Sequence, residues 1–375
     1  MNIFIKTYGC QANIADSEQM AGLLKANNHT LVANESDADA IIVNSCSVKN
    51  ATQSKILNYL NTHLKNEKPK KIIIGGCLTK TLNLRKKIPD LSAVFDTNSI
   101  LKINDIVENP HDVFSGKKEE RINVPALRKK NGIAIIQTSQ GCLNTCAFCA
   151  TKLARGMLQS YRIGDIKREL EIAVRQGRAA IYITSQDNGC YGFDINTSLP
   201  ELLNELVTVE GDYKIRVGMM NPWHLRRIAE PLLEAYRSEK IMKFLHIPVQ
   251  SGSEKVLRDM KRIHTVESFR EAVKKFRSEF PGITVATDVI VGYPTETEED
   301  FQETCSLIKE IRPEVLNIST FSSRPGTKAA TLMQLSSQII KERSRRITNL
   351  YKRYKQEAPL IQIRLSPEPF CSKHF

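Results

Sequence analysis

The chain has 375 residues, of which 41% are hydrophobic and 25% charged, a composition typical of globular proteins with room for two domains. The sequence contains no apolar run long enough to cross a bilayer, and its first residues lack the basic flank and cleavage site of a signal peptide. We therefore expect a cytoplasmic protein with no membrane partner. The formal charge of +13 favours a polyanionic partner, and an odd count of nine cysteines argues against a disulfide framework.

Residues 1–108 alternate apolar runs with helical segments. The predicted strands are Ile3–Tyr8, Ala40–Asn44, Lys71–Ile74 and Ala93–Phe95. One helix is predicted to begin at Asp16 and Glu18 and to end near Asn27. Acidic side chains are stabilising near a helix N-terminus, which favours this start. A second is predicted over Ala51–Leu64. This alternation predicts an N-terminal domain built on a doubly wound parallel sheet.

Three cysteines of this domain, Cys10, Cys46 and Cys77, each follow directly on a predicted strand. Their separations are each about one strand–helix–strand unit. Because parallel strands of successive units end at the same edge of a sheet, the three thiols are expected to lie together there. The alternative is three buried cysteines without a common role.

A second series of strands and helices begins after a polar linker at residues 109–131. Its predicted strands are Ile133–Thr138, Ala180–Thr184, Lys214–Gly218, Lys243–Ile247, Thr284–Val291 and Val315–Thr320. Helical spacing between them predicts helices over Ile166–Gln176, Leu199–Val207 and Val266–Phe280. Six units fall short of the eight that close a full barrel, so residues 132–334 are predicted to form a partial (β/α)6 barrel.

The loop after the first strand of this series reads "GCLNTCAFC" and contains Cys142, Cys146 and Cys149. No Cys or His follows in residues 150–189 to supply a fourth ligand. A structural zinc site takes four protein ligands, whereas a [4Fe–4S] cluster can be held by three thiolates with one iron left open. The loop therefore favours a cluster, with zinc held by three thiolates and water as the alternative.

The Cys-x3-Cys-x2-Cys pattern, with Phe148 before the last cysteine, resembles the signature of radical S-adenosylmethionine (radical SAM) enzymes. The stretches "TYGCQANIADSEQM", "VNSCSVKNATQSK" and "GGCL" resemble the N-terminal domain of the methylthiotransferases, a branch of that superfamily. The resemblance implies a radical SAM barrel after the doubly wound domain. It also implies S-adenosylmethionine (SAM) on the open iron of the first cluster, and a second [4Fe–4S] cluster on Cys10, Cys46 and Cys77.

The stretches "GCLNTCAFCATKLARG", "ITSQDNGCYGFDI", "VGMMNPWHL" and "FLHIPVQSGSEKVLRDMKR" resemble the archaeal and eukaryotic branch of the family. That branch transfers a methylthio group to C2 of N6-threonylcarbamoyladenosine beside the anticodon of tRNA, with SAM as methyl donor and radical source. The resemblance therefore implies tRNA and an electron donor of the flavodoxin or ferredoxin type as partners. The alternatives are isopentenyladenosine in tRNA, a ribosomal-protein aspartate, or a non-catalytic nucleic-acid-binding protein whose cysteines hold a metal.

Six polar residues are candidates for contacts with SAM. Three end the second barrel strand where superfamily members contact the amino end of SAM, and three follow the fourth strand: Ser185, Gln186, Asp187, Gln250, Ser251 and Arg262. A simple turn is the alternative for the first three. His246 is expected to be a hydrogen-bonded histidine at a strand end rather than a base, and Cys190 and Cys305 to be ordinary buried thiols.

The C-terminal residues divide into a basic helix at 335–357 and an atypical tail at 358–375. The helix carries Lys341, Arg343, Arg345, Arg346, Lys352, Arg353 and Lys355 on the face opposite its apolar residues. These cations are expected either to be solvated or, as a set, to contact RNA phosphates. The tail is too short for the small β-barrel RNA-binding domain, TRAM, of relatives, so we expect weakened tRNA affinity with the clusters retained.

Overall fold

The structure is a computed structural model that describes residues 1–48, 50–65, 70–128 and 132–357. Within this part the contacts form two compact units, one of residues 1–142 and 150–181 and the other of residues 143–149 and 182–357. The predicted domain limits stay a prediction, and the tail at 358–375 lies outside the described residues. In the described ranges, no helix combines the length and the apolar character needed to span a bilayer.

The first unit contains a five-stranded parallel sheet with the order β2-β1-β3-β4-β5. Its strands are β1 Asn2–Thr7, β2 Thr30–Leu31, β3 Ala40–Ser45, β4 Lys71–Gly76 and β5 Ala93–Val94. Ile3 lies opposite Ala40, and Ile42 lies opposite Ile73. The predicted parallel sheet is confirmed. Only β2 was missed, because two residues are too few to show a period.

Helices cover both faces of this sheet, as a doubly wound fold requires. They are α1 Gln11–Ala26, α2 Asn50–Leu64, α3 Leu84–Lys87 and α4 Ile103–Glu108. Successive side chains of a strand point to opposite faces. Thus Ile5 of β1 belongs to the apolar cluster that contains Met20 of α1, whereas Phe4 belongs to the cluster that contains Ile56 of α2.

Helix α1 begins earlier than the sequence indicated. It starts at Gln11, with Cys10 at the N-cap, and its first turn contains no acidic residue. The prediction that the helix opens at Asp16 is wrong, because Asp16 lies in the second turn and is completely buried. Its carboxylate is paired with buried guanidinium groups and does not serve the free amides of the helix N-terminus.

The rest of the first unit follows the linker. It contains β6 Ile133–Gln137, β7 Ser139–Gln140, α5 Ala150–Arg155, β8 Gln159–Ser160 and α6 Ile163–Arg175. Strands β7 and β8 form a short antiparallel pair, with Ser139 opposite Ser160. The described part of the linker packs as an extended segment on α1, since the Leu127 N–H donates to the Glu18 carbonyl at 2.8 Å.

The second unit continues the alternation of strands and helices. After β9 Ala180–Thr184, which crosses the boundary between the units, the elements are α7 Leu199–Leu206, β10 Lys214–Val217, α8 Pro222–Tyr236, β11 Phe244–His246, α9 Glu254–Asp259, α10 Val266–Glu279, β12 Thr284–Val291, α11 Glu298–Ile311, β13 Val315–Thr320 and α12 Ser337–Glu357. Strands β11, β12 and β13 pair in parallel in chain order. Ile215 of β10 forms an isolated parallel bridge with Ile241, just before β11. All six predicted barrel strands are present, which supports the partial (β/α)6 barrel.

Candidate functional site

The cysteines of the N-terminal sheet follow the carboxyl ends of β1, β3 and β4. The strand order reverses between β1 and β3, the point at which doubly wound folds bind ligands. Oδ1 of Asn13 lies 3.7 Å from Sγ of Cys10 and 3.9 Å from Sγ of Cys77. The third thiol, Cys46, accepts a hydrogen bond from the Val48 N–H at 3.4 Å. The predicted gathering of these cysteines at one sheet edge agrees with this geometry.

Two glycines let the backbone approach closely at this edge. Gly9 has φ +117°, and a Cβ there would lie 2.9 Å from Cβ of Cys46. Gly76 has φ +94°, and a Cβ there would lie 2.5 Å from Oδ1 of Asn44. Both conformations are costly for residues with a side chain. The Tyr-Gly-Cys and Gly-Gly-Cys sequences therefore serve to place Cys10 and Cys77.

The three thiols differ in access to solvent and fit an iron–sulfur cluster better than zinc. Cys10 is exposed, whereas Cys46 and Cys77 are buried. Burial raises the pKa of the Cys77 thiol, and the positive charge of Arg155 opposes that rise. Three sulfur donors at one edge suit a [4Fe–4S] cluster with one open iron, while zinc would need a fourth ligand.

A buried charge network, which the sequence did not predict, is connected to these cysteines through Asn13. Asp16 accepts hydrogen bonds from Nη2 of Arg155 at 2.6 Å, Nη1 of Arg121 at 3.0 Å and Nε2 of Gln137 at 2.8 Å. Burial alone would raise the pKa of Asp16, but the charges of Arg155 and Arg121 bring it below its ordinary value. The one sequence signal for this network was Asp16, a carboxylate among the buried positions of α1.

The three-cysteine loop of the barrel is tightly held where it lies in the second unit. The Ala147 N–H donates to the Met260 carbonyl, and the Ala147 carbonyl accepts from the Ala329 N–H, both at 2.9 Å. Phe148 packs against an apolar cluster that includes Met260, Tyr293 and Ala329. The aromatic residue before the last cysteine thus anchors the loop.

Arg262, one of the predicted SAM contacts, lies beside this loop. Its Nη1 donates to Sγ of Cys146 at 3.7 Å and its Nη2 to the Pro248 carbonyl at 2.8 Å.

The backbone N–H groups of two loop cysteines are also hydrogen-bonded. The Cys149 N–H donates to the Cys146 carbonyl at 3.1 Å, which closes a tight turn between the two cysteines. Within the first unit, the Cys142 N–H donates to the Gly156 carbonyl at 3.2 Å.

Asp187 is placed differently from its two neighbours in the predicted trio. Its side chain is buried, and Oδ1 accepts from the backbone N–H groups of Gly189 and Asn221, both at 2.9 Å. Its Oδ2 accepts from Nδ2 of Asn144, in the cysteine loop, at 2.7 Å. The carboxylate is therefore occupied by protein donors. Ser185 and Gln186 are half-buried just after β9.

Gln250 and Ser251, which follow β11, are placed differently from each other, and His246 is the last residue of that strand. Gln250 is half-buried with φ +73°, and its N–H donates to the Asp288 carbonyl at 2.8 Å. Ser251 is fully buried, and its hydroxyl lies 3.3 Å from Oγ1 of Thr304, so it is bonded within the protein. His246 lies 2.6 Å from Oδ2 of Asp288, as expected for a hydrogen-bonded histidine at a strand end.

Two family models match the chain: "Uncharacterized protein family UPF0004" over residues 2–96 and the radical SAM superfamily over residues 136–308. A "probable threonylcarbamoyladenosine tRNA methylthiotransferase" of Pyrococcus horikoshii is 43% identical over 92% of this chain and 82% of its own length. The human threonylcarbamoyladenosine tRNA methylthiotransferase is 37% identical over 100% of this chain and 67% of its own length. The chain belongs to this methylthiotransferase family.

A solved structure agrees with this assignment at the level of the fold. The radical SAM methyltransferase TsrM from Kitasatospora setae matches with a TM-score of 0.64 at 12% identity, over 88% of this chain and 75% of that one. Membership of this methylthiotransferase family in the radical SAM superfamily implies a [4Fe–4S] cluster and SAM. The superfamily match contains the loop with Cys142, Cys146 and Cys149.

Proposed function

We propose that this methylthiotransferase transfers a methylthio group to C2 of N6-threonylcarbamoyladenosine next to the anticodon of tRNA. The observation that carries the proposal is the identity of 43% and 37% to archaeal and human relatives of that name, over at least 92% of the chain. The charge of +13 suits a polyanionic substrate.

The proposal includes two [4Fe–4S] clusters, with SAM as both methyl donor and radical source. The loop cysteines would hold the cluster that binds SAM, and the N-terminal cysteines Cys10, Cys46 and Cys77 would hold the second. When bound, these groups supply a radical able to remove hydrogen from an unactivated carbon, and the sulfur and methyl of the transferred unit. The protein contributes thiolate ligands, orientation and shelter from water.

The six predicted SAM residues divide into two roles in this proposal. Arg262, at the Cys146 sulfur, and the half-buried Ser185, Gln186 and Gln250 would contact SAM directly. The other two would act by hydrogen bonds within the protein: Asp187 by holding Asn144 of the cysteine loop, and Ser251 by holding its turn against Thr304. Replacing Ser185, Gln186 or Gln250 should affect SAM affinity with little effect on stability, because these side chains are only half-buried.

The tRNA phosphates would be bound in part by the exposed cations of α12. This set is smaller than the sequence indicated, because Arg343 is buried on Glu296 and Arg346 is paired with Glu298. The cations of this set that remain exposed are Lys341, Arg345, Lys352, Arg353 and Lys355, of which Lys355 donates to the Glu314 carbonyl. We propose a cytoplasmic setting with a flavodoxin- or ferredoxin-type protein as the electron donor.

The test is mass spectrometry of tRNA nucleosides from cells that lack this gene and cells that carry it. The expected result is a methylthio mass increment on N6-threonylcarbamoyladenosine that returns with the wild-type gene and does not return with the Cys146→Ala variant. An increment on isopentenyladenosine or on a ribosomal-protein aspartate would overturn the proposed substrate. Zinc in place of iron in the purified protein, with no increment, would overturn the enzyme assignment.

A further inference from the structure

The N-terminal cysteine edge contains a cation that the proposed reaction does not yet use. We propose that Arg155 is a positioning residue that holds an anionic sulfur ligand, such as hydrosulfide, at the iron left open by Cys10, Cys46 and Cys77, with Asp16 limiting the strength of that attraction. This inference rests on the proposed second cluster.

Arg155 is connected to the cysteines through one shared oxygen. Its side chain is buried, and Nη2 donates to Oδ1 of Asn13 at 3.0 Å as well as to Asp16. The same Oδ1 lies within 3.9 Å of the sulfurs of both Cys10 and Cys77. The guanidinium and two of the three thiols therefore surround a single acceptor, which fixes the cation beside the proposed cluster.

The charges of this network do not balance among themselves. Asp16 is the common carboxylate of Arg155 and Arg121, and all three side chains are buried. One carboxylate neutralises one of two guanidinium groups, so this group of three keeps one positive charge. A buried charge is costly unless an opposite charge lies near it. Thiolates and an added anion at the cysteine edge would supply that opposite charge.

One nitrogen of Arg155 is available to an additional ligand. Nη1 is buried and has no hydrogen-bond partner within bonding distance among the described residues. A guanidinium binds anions through directed N–H donors, and such charge-assisted bonds are stronger than neutral ones. An anionic sulfur ligand on the open iron would add negative charge to a site that already has three thiolates. The Nη1 N–H groups of Arg155 would stabilise that charge.

A purely structural role for Arg155 makes a different prediction. Arg128 is also buried and donates to Glu169 at 2.5 Å in the same unit, without a described contact to the cysteines. If Arg155 only formed a structural ion pair with Asp16, replacing either residue would weaken anion binding at the site in the same way. If its charge attracts the anion, neutralising Arg155 must weaken anion binding and neutralising Asp16 must strengthen it.

The experiment uses the full chain with Cys142, Cys146 and Cys149 replaced by alanine, so that only the N-terminal cysteines take a cluster. After anaerobic reconstitution, sodium sulfide is titrated without SAM or tRNA, and the electron paramagnetic resonance signal of the reduced cluster reports binding. Arg155→Gln should weaken sulfide binding about tenfold, Asp16→Asn should tighten it about tenfold, and Arg155→Lys should fall between wild type and Arg155→Gln. Arg128→Gln is the matched control and should leave the affinity unchanged.

The proposal is overturned if cluster-loaded Arg155→Gln binds sulfide as the wild type does, or if Arg155→Gln and Asp16→Asn shift the affinity in the same direction. Should circular dichroism show that Arg155→Gln does not fold, unchanged or weaker binding by Asp16→Asn overturns it instead. A folded parent that takes up no iron overturns the second cluster and this inference together. Methylthiolation of another substrate would leave the sulfide result intact.

Discussion

The side-chain amide of Asn144 donates a 2.7 Å hydrogen bond to Oδ2 of Asp187. Oδ1 of Asn144 therefore faces Nε2 of His224, 3.2 Å away, and accepts a hydrogen bond from the N–H of that ring nitrogen. Burial lowers the pKa of His224, and a neutral ring with its proton on Nε2 satisfies this arrangement. Asn144 stands between two cysteines of the barrel loop, so the carboxylate and the imidazole together orient that loop.

Asp187→Asn should destabilise the protein and reduce the occupancy of the loop cluster. The new amide cannot accept on both sides as the carboxylate does, so a buried donor of Asn144, Gly189 or Asn221 loses its partner, at a cost of about 1–3 kcal/mol. Urea unfolding of the cofactor-free protein and iron per chain after reconstitution measure the two effects. Asp212→Asn, at an exposed position, is the control. Equal iron content in the two variants would contradict the role of Asp187.

Gly76→Ala should remove the N-terminal cluster selectively. Its φ of +94° and the 2.5 Å approach to Oδ1 of Asn44 leave no room for a methyl group. Iron after reconstitution should fall from about eight to about four per chain, since each cluster contains four irons. Gly164→Ala is the control, because a Cβ there meets nothing within 4 Å. Full iron content in Gly76→Ala would rule out this edge as a cluster site.

Arg343→Met should loosen the attachment of α12 to the second unit. Arg343 is buried and donates to the carboxylate of Glu296 at 2.7 Å and to its carbonyl at 2.9 Å. Removing one partner of a buried ion pair costs about 3–5 kcal/mol. Urea unfolding at pH 7 measures the change, and a loss below about 1 kcal/mol would refute the prediction.

Arg345→Met should leave the stability almost unchanged and weaken tRNA binding, in contrast to Arg343→Met. The side chain is exposed, so the unfolding free energy should change by no more than about 0.5 kcal/mol. If α12 contacts tRNA phosphates, the variant should bind tRNA more weakly, with a shallower dependence on salt, because one fewer counterion is released. Affinity measured at two salt concentrations tests this. An unchanged salt slope would exclude Arg345 from the interface.

His264 should make the protein less stable as the pH falls below neutrality. Burial and the charge of Arg262 lower its pKa to about 3, compared with about 6.5 in an unfolded chain. Between these values only the unfolded state takes up the proton, so the stabilisation present above pH 6.5 is progressively lost as the pH falls. The loss at pH 5 is up to about 2 kcal/mol.

The measurement is urea unfolding at pH 7 and pH 5 for the wild type and for His264→Gln, whose amide can still donate to the Val249 carbonyl. His264→Gln should show a smaller decrease than the wild type. His111→Gln removes an exposed histidine and should follow the wild type. A decrease as large in His264→Gln as in the wild type would show that other groups cause it.

The longer strands were the most predictable part of the molecule, because they are runs of apolar and β-branched residues, unlike the two-residue strands β2, β7 and β8. The edge shared by Cys10 and Cys77 could be anticipated too, since it follows from where parallel strands end. The pairing of Asp16 with Arg155 could not be, because 139 residues separate them along the chain and only tertiary packing brings them together. Without knowledge of that ion pair, the acidic side chain of Asp16 indicates a helix start, whereas the residue lies inside α1.

The unequal burial of the N-terminal thiols has a consequence for how the site is filled. Solvent reaches Cys10, whereas Cys46 and Cys77 lie beneath the surface. A protein that transfers a preformed cluster to this site would contact the Cys10 sulfur first. The sulfurs of Cys46 and Cys77 would then replace the remaining ligands of the donor protein. In air the same asymmetry would make Cys10 the first of the three to oxidise.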